Sequence, residues 1–200
     1  RFQDAERSMD TYHWENSASI EAWYGKLTGH FGESSMLSAF YLDNVQGLNG
    51  SSVAPAYKGA HIYAWGAGAT IGLGDSGLSI DGDFIQTKGN HELGHGNLWT
   101  AGLNYGEVDL NKPGSFTLGV HYVRADKGSY LLGNSALDMT DQLEYGWDNG
   151  AGVKFWTAKA GVAVQKNVEL DAYYNFGAKV YDSNEKDPAN TWGVELNYAF

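Results

Sequence analysis

The carboxyl-terminal stretch Asn190–Phe200, with the sequence NTWGVELNYAF, decides the fold class of this chain. Its residues fall into two sets, because successive side chains of a β-strand point to opposite faces. One set is apolar and aromatic: Trp192, Val194, Leu196, Tyr198 and Phe200. The other set is polar or small: Gly193, Glu195, Asn197 and Ala199. This alternation predicts a strand with lipid on one side and water on the other, as in a transmembrane β-barrel.

Similar alternation upstream predicts nine strands in all. They are Ser17–Leu27, Ser34–Leu42, Gly59–Leu73, Gly77–Thr87, Gly96–Val108, Ser115–Ala125, Ala151–Gln165, Val168–Val180 and Thr191–Phe200. Inward, pore-lining side chains are predicted at His121, Lys159, Glu169, Asp171, Lys179 and Glu195. Membrane-facing side chains are predicted at Trp156, Tyr174, Trp192, Val194, Leu196, Tyr198 and Phe200. The predicted fold class is therefore all-β, an antiparallel transmembrane barrel of which about nine to ten strands are visible.

Composition narrows the possible classes of protein. The 200 residues suit one domain and contain no cysteine, so neither disulfides nor thiolate metal sites are expected. The net charge of −11 argues against a nucleic-acid partner. The sequence contains no run of 18 apolar residues and therefore predicts no membrane-spanning helix. The alternating strands of a membrane barrel would not produce such a run. The 27 glycines, 3 prolines and 14 % aromatic residues suit long strands that carry aromatic belts.

The predicted connections alternate between short and long. Short connections are Thr28–Glu33, Gly74–Ser76, Asp109–Gly114 and Lys166–Asn167. Long connections are Asp43–Lys58, Lys88–His95, Asp126–Gly150 and Tyr181–Asn190. Short periplasmic turns alternating with longer extracellular loops are typical of outer-membrane barrels. The longest segment, Asp126–Gly150, could fold into the lumen as a constriction or pack over the barrel rim or a neighbouring subunit.

The ending Tyr198-Ala199-Phe200 resembles that of bacterial outer-membrane porins, in which a terminal Phe with an aromatic residue two positions earlier is the assembly signal. The resemblance implies passive diffusion of ions and small hydrophilic solutes across the outer membrane, often through a homotrimer. It implies no enzymatic activity, no catalytic residues and no cofactor. The glycine-rich, acidic, cysteine-free strands are also similar to those of S-layer-homology porins, whose amino-terminal domain tethers the membrane to the cell wall.

The number of predicted strands bears on how much of a barrel is present. If Phe200 lies in the periplasm, nine strands place residues 1–16 outside the cell, whereas such barrels normally begin in the periplasm. We therefore expect residues 1–200 to form the carboxyl-terminal portion of a larger transmembrane β-barrel domain. A complete barrel of eight or ten strands is the alternative.

His91-Glu92-Leu93-Gly94-His95 matches the HExxH pattern of zinc proteases. In those enzymes two His one helical turn apart bind zinc, but Gly94 and Gly96 disfavour a helix here. In a strand, the two His would be about 13 Å apart, too far to share one ion. We therefore expect a polar loop without a metal site. A metalloenzyme and a soluble all-β carbohydrate-binding module remain as alternative functions.

Overall fold

The computed structural model describes residues 2–3, 19–20, 22–32, 34–44, 59, 61–89, 95–129, 151–181 and 184–199. These residues form eleven strands and one 3-10 turn at Gly74–Ser76. The strands are β1 (Phe2–Gln3), β2 (Ser19–Ile20), β3 (Ala22–His30), β4 (Met36–Asn44), β5 (Ile62–Gly72), β6 (Leu78–Gly89), β7 (His95–Gly106), β8 (Phe116–Ala125), β9 (Gly152–Gln165), β10 (Val168–Tyr181) and β11 (Thr191–Tyr198). Within this part of the chain, no helix has the length and apolarity needed to cross a membrane.

Strands β3 to β11 form one antiparallel sheet in which each strand pairs with its neighbours in sequence. The sheet is open, with β3 and β11 at its two edges, while β1 and β2 pair separately. The all-β, antiparallel part of the fold prediction is thereby confirmed. The predicted strands match β3–β11 to within a few residues at most ends, the first differing most because β3 begins at Ala22.

Two tight turns show why successive strands fold back on each other. Lys166 and Asn167 alone connect β9 to β10, and Asn167 has a φ of 62°, a value that Asn tolerates better than most residues. Between β5 and β6, Gly74 and Gly77 have φ of 63° and 72°, and the Ser76 hydroxyl donates to the Leu73 carbonyl at 2.7 Å. These turns align the strands into hairpins and so set the register of the sheet.

The register separates two chemically distinct faces. We call polar face the side that carries Asp83, Thr100, His121, Thr157 and Asn175, which adjoin one another in register or along a strand. We call apolar face the opposite side, which carries Trp65, Phe84, Trp99, Tyr122 and Trp156. The two sets alternate along the regularly paired parts of the strands, because the side-chain period of a strand is two residues.

The buried core lies on the polar face, at the end of the strands that leads into the predicted long connections. It consists of Leu98, Val123, Ala125, Val153, Phe155 and Ala178, with Ile85 packed against it. Val123, Val153 and Phe155 have no exposed surface. This end of the polar face therefore carries a cluster of buried apolar side chains, and the charged side chains of this face lie further along the strands.

The start of the segment after β8 folds back over β7 beside this core. The Asp126 amide donates to the Asn97 carbonyl at 2.8 Å, and the Thr87 hydroxyl donates to the Gly128 carbonyl at 2.7 Å. The backbone of residues 127–129 passes so close to Gly96 that a Cβ there would overlap it. Ser129 is consequently buried, at the point where the predicted loop enters residues outside the described part.

Glycines on the polar face make room for larger neighbours. The His121 ring lies against Gly102 and Gly119, at positions that a Cβ on either glycine would crowd. The ring is thereby held against the sheet, within reach of Asp81. The glycine richness of the strands thus has a packing cause at these two sites.

We expect Gly102→Ala to lower the free energy of unfolding by about 1–3 kcal/mol, because the added methyl would displace the buried His121 ring from Asp81. The matched control is Gly25→Ala, where a Cβ has no neighbour within 4 Å and should be neutral or slightly stabilising. Urea titration of the two variants measures the difference. Equal stabilities would mean that the ring moves aside freely.

Candidate functional site

The apolar face is a continuous surface feature of the main sheet. All nine strands of the main sheet contribute large apolar side chains to it, and many are well exposed; Leu27 on β3 and Trp192 on β11 are 77 % and 73 % exposed. Soluble monomers rarely expose an apolar patch that extends across a whole sheet. The face therefore requires a covering partner or an apolar solvent.

Aromatic rings pack side by side across the middle strands of this face. The ring centroids of Trp99 and Tyr122 are 5.2 Å apart, and those of Tyr122 and Trp156 are 5.0 Å apart, with the rings tilted. Trp65 and Phe84 form a similar pair at 5.3 Å. Contacts of this kind stabilise neighbouring strands beyond the burial of area alone.

A hydrogen-bonded polar rim borders the aromatic rings at the end of the sheet near the long connections. It consists of Trp65, Gln86, Asn97, Asp126, Tyr181 and Arg124. Trp65 Nε1 donates to Gln86 at 3.2 Å, Gln86 donates to Asn97 at 2.9 Å, and Asn97 donates to Asp126 at 3.3 Å. The Tyr181 hydroxyl donates to Asp126 at 2.6 Å, and Arg124 Nε donates to Tyr181 at 3.4 Å. The apolar face therefore changes sharply to a polar surface at this end.

Two lysines on neighbouring strands extend the polar rim beyond Arg124. Lys154 on β9 lies opposite Arg124 on β8 and opposite Lys179 on β10. Lys179 also forms an ion pair with Asp187 at 2.5 Å, and its hydrogen bond lowers the pKa of the Asp187 carboxyl. All other charged residues on the apolar face of the described strands, Asp43, Lys88 and His95, lie at the same end.

The position of Lys179 corrects one prediction from sequence. Simple alternation along β10 predicted that it would point inward with Glu169 and Asp171. A β-bulge between Phe176 and Lys179, with Gly177 at a φ of 64°, inserts one residue and reverses the alternation beyond it. Lys179 consequently lies on the apolar face, whereas Ala178 turns into the core.

Most of the other predicted site residues lie where alternation placed them. The inward set of His121, Lys159, Glu169, Asp171 and Glu195 shares the polar face. The outward set of Trp156, Tyr174, Trp192, Val194, Leu196 and Tyr198 shares the apolar face. Phe200 lies outside the described residues. That these faces line a pore or contact a membrane stays a prediction.

One polar cluster connects the middle strands of the polar face. His121 Nε2 lies 3.2 Å from Asp81 Oδ1, and Asn104 donates a hydrogen bond to the same oxygen. The backbone amide of the neighbouring Asp83 donates a hydrogen bond to the Thr100 hydroxyl at 3.1 Å. His121 is only 8 % exposed, and its Nδ1 has no hydrogen-bond partner in the described part of the chain. Sequence reasoning missed Asp81 and Asp83, although their alternation with Ile80 and Phe84 was a usable signal.

A second, more acidic cluster lies on β10 and β11. Asp171 pairs in register with Glu195, and Glu169, two residues before Asp171, lies on the same face of β10. Asn197 Nδ2 donates to Asp171 at 2.7 Å, and Asn175 donates to Thr191 at 3.1 Å. Gly161 of β9 leaves space for the side chains of Asp171 and Glu169. Three carboxylates thus gather on one small area, where they attract cations.

The HExxH segment does not form a described site. Residues 91–94 lie outside the described residues, and His95 is an exposed residue at the start of β7, opposite Lys88. His61, Tyr63, Lys88, Gly89 and His95 line a shallow open pocket, beside which His61 pairs with Asp43 at 2.9 Å. Within the described ranges, no group of three His, Asp or Glu side chains is arranged to hold a metal ion.

Comparison with known proteins does not assign this chain to a family. No protein-family model matches it, and no curated protein matches it significantly.

Proposed function

We propose that this chain forms part of an outer-membrane β-barrel porin, through which ions and small hydrophilic solutes diffuse passively. The observation that carries the proposal is the apolar face, which extends across all nine strands of the antiparallel sheet and ends at a polar rim. Lipid is the natural solvent for such a face, and an aqueous lumen suits the charged opposite face. No catalytic role or cofactor is part of the proposal.

The length of the uncharged apolar stretch supports this proposal. On the apolar face, the side chains of β9 are uncharged from Trp156 to Val164, and those of β10 are uncharged from Val168 to Phe176. Lys154 and Lys179 follow at the rim end of these two strands. A tilted strand needs about 9–11 residues to cross the hydrocarbon core of a bilayer. Trp and Tyr beside the rim suit the interfacial belt of such proteins.

Strand direction adds a requirement for closure. Because β3 and β11 run parallel to each other in the meander, a closed and fully antiparallel barrel would need an odd number of further strands between them. Those strands would come from elsewhere in the polypeptide or from another chain. They would also satisfy the unpaired backbone groups of both edges, which a bilayer core does not tolerate exposed.

A soluble carbohydrate-binding module fits these observations less well. It would need a second layer to bury the apolar face, whereas the described strands pack substantially only with their own sheet neighbours. Its aromatic side chains would gather on one platform, and here they extend from Trp23 on β3 to Trp192 on β11.

Arginine substitution tests membrane embedding. Val194 lies on the apolar face opposite Ala172, so Val194→Arg should cost about 2–4 kcal/mol of stability if it is near the bilayer midplane. Asn197→Arg is the matched control, because Asn197 lies on the polar face and would place its cation beside Asp171. Urea unfolding of the full-length protein from lipid vesicles measures both. Equal losses at the two positions would contradict the proposed orientation.

Reversal potentials test the aqueous pathway. The polar face of the described strands carries the carboxylates of Asp81, Asp83, Glu169, Asp171 and Glu195 against the ammonium groups of Lys26 and Lys159. Excess negative charge lowers the energy of cations in a narrow lumen, so we expect a weak cation preference under a KCl gradient across a planar bilayer.

The double variant Asp171→Asn/Glu195→Gln should reduce that preference. The control Asp75→Asn alters an exposed turn and should leave the preference unchanged. An anion preference of the full-length protein would mean that these strands do not set the field of the pore. Absence of any conductance would rule out the porin proposal.

A further inference from the structure

The three cations of the polar rim form an arrangement that a sheet does not favour by itself. Arg124, Lys154 and Lys179 lie side by side on adjacent strands, and Lys154 is directly opposite both Arg124 and Lys179 in register. Like charges in cross-strand pairs destabilise a sheet. The bulge at Gly177 adds to this crowding, because it turns Lys179 toward Lys154. An anion placed between them would relieve the repulsion.

Internal carboxylates compensate the cluster only in part. Arg124 contacts Asp126 through Nε at 3.6 Å, and its guanidinium lies over the Tyr181 ring at 4.8 Å. Lys179 pairs with Asp187. Lys154, between them, has no ion pair within the described residues, so its positive charge at the centre of the cluster lacks a counter-ion in this part of the chain.

The surroundings of the cluster indicate the kind of anion. Two residues along the strands from Arg124 and Lys154 lie Tyr122 and Trp156, whose rings pack at 5.0 Å, and the uncharged apolar stretch follows. A molecule with an anionic head and apolar chains could cover both surfaces together. A free anion would leave the apolar surface uncovered.

We propose that Arg124, Lys154 and Lys179 form a binding site for the phosphate group of an anionic membrane lipid, whose acyl chains lie along the apolar face beside Tyr122 and Trp156. The inference rests on the proposed function, because a bilayer around the apolar face is what brings a lipid headgroup to the level of the rim. Charge-assisted hydrogen bonds from Arg and Lys are well suited to phosphate oxygens. Cations near a membrane surface attract anionic lipids.

Lipid retention tests the site. The full-length protein in detergent micelles is mixed with dioleoyl phosphatidic acid or with zwitterionic dioleoyl phosphatidylcholine, and bound lipids are counted by native mass spectrometry. We expect the wild type to prefer phosphatidic acid. Lys154→Gln/Lys179→Gln should weaken the binding of phosphatidic acid roughly tenfold and leave that of phosphatidylcholine unchanged. Unchanged binding of phosphatidic acid by this variant would overturn the inference.

A matched control removes the same charge elsewhere. Lys112→Gln/Lys166→Gln alters two exposed residues in the turns at the opposite end of the sheet and should retain the wild-type preference. Should the rim variant not fold, the wild-type comparison of the two lipids decides, and equal affinities would overturn the inference. Displacement of phosphatidic acid by equimolar inorganic phosphate would also overturn it, because the site would then bind a bare anion.

Vesicle insertion separates this inference from the proposed function. Insertion into phosphatidylcholine vesicles without any preference for phosphatidic acid would refute the lipid site alone. Failure to insert into either type of vesicle would refute the proposed function itself.

Discussion

The alternation of side chains across a single antiparallel sheet is the constraint on which the rest of this structure depends. Because each strand has two faces and a period of two residues, every side chain belongs to one of two environments. The register keeps the two environments apart over nine strands. A slip of one residue in any strand would exchange its apolar and charged side chains, so the tight turns that set the register are as important as the strands.

The polar face is graded along the strands. At one end Val123, Val153 and Phe155 are completely buried, and further along the strands carboxylates, amides and hydroxyls predominate. Small residues make this packing possible, since Gly102 and Gly161 leave space for the side chains of neighbouring strands. A porin lumen would draw on the same features: hydrogen-bonding groups held in fixed positions, with an excess of negative charge.

The break in alternation at Gly177 determines which faces of the sheet Ala178 and Lys179 occupy. One inserted residue turns Ala178 into the buried core and moves Lys179 to the rim of the apolar face. Bulges are common at barrel rims, where they redirect side chains. In the proposed membrane orientation, the bulge lies at the transition from hydrocarbon to headgroups. The charge of Lys179 is favourable at that level, whereas the small side chain of Ala178 would contribute little there.

By itself, the sequence determined the strands and most of their faces, because hydrophobic periodicity is local and strong in segments such as Val168–Phe176. Glu169, Asp171 and Glu195 could be placed on a common face for the same reason. Only the tertiary structure decided which distant residues meet. His121 reaches Asp81, 40 positions earlier, through the register of β6, β7 and β8, which depends on turn geometry and packing. The bulge that groups Lys179 with Lys154 and Arg124 likewise depends on strand pairing, which no period in the sequence encodes.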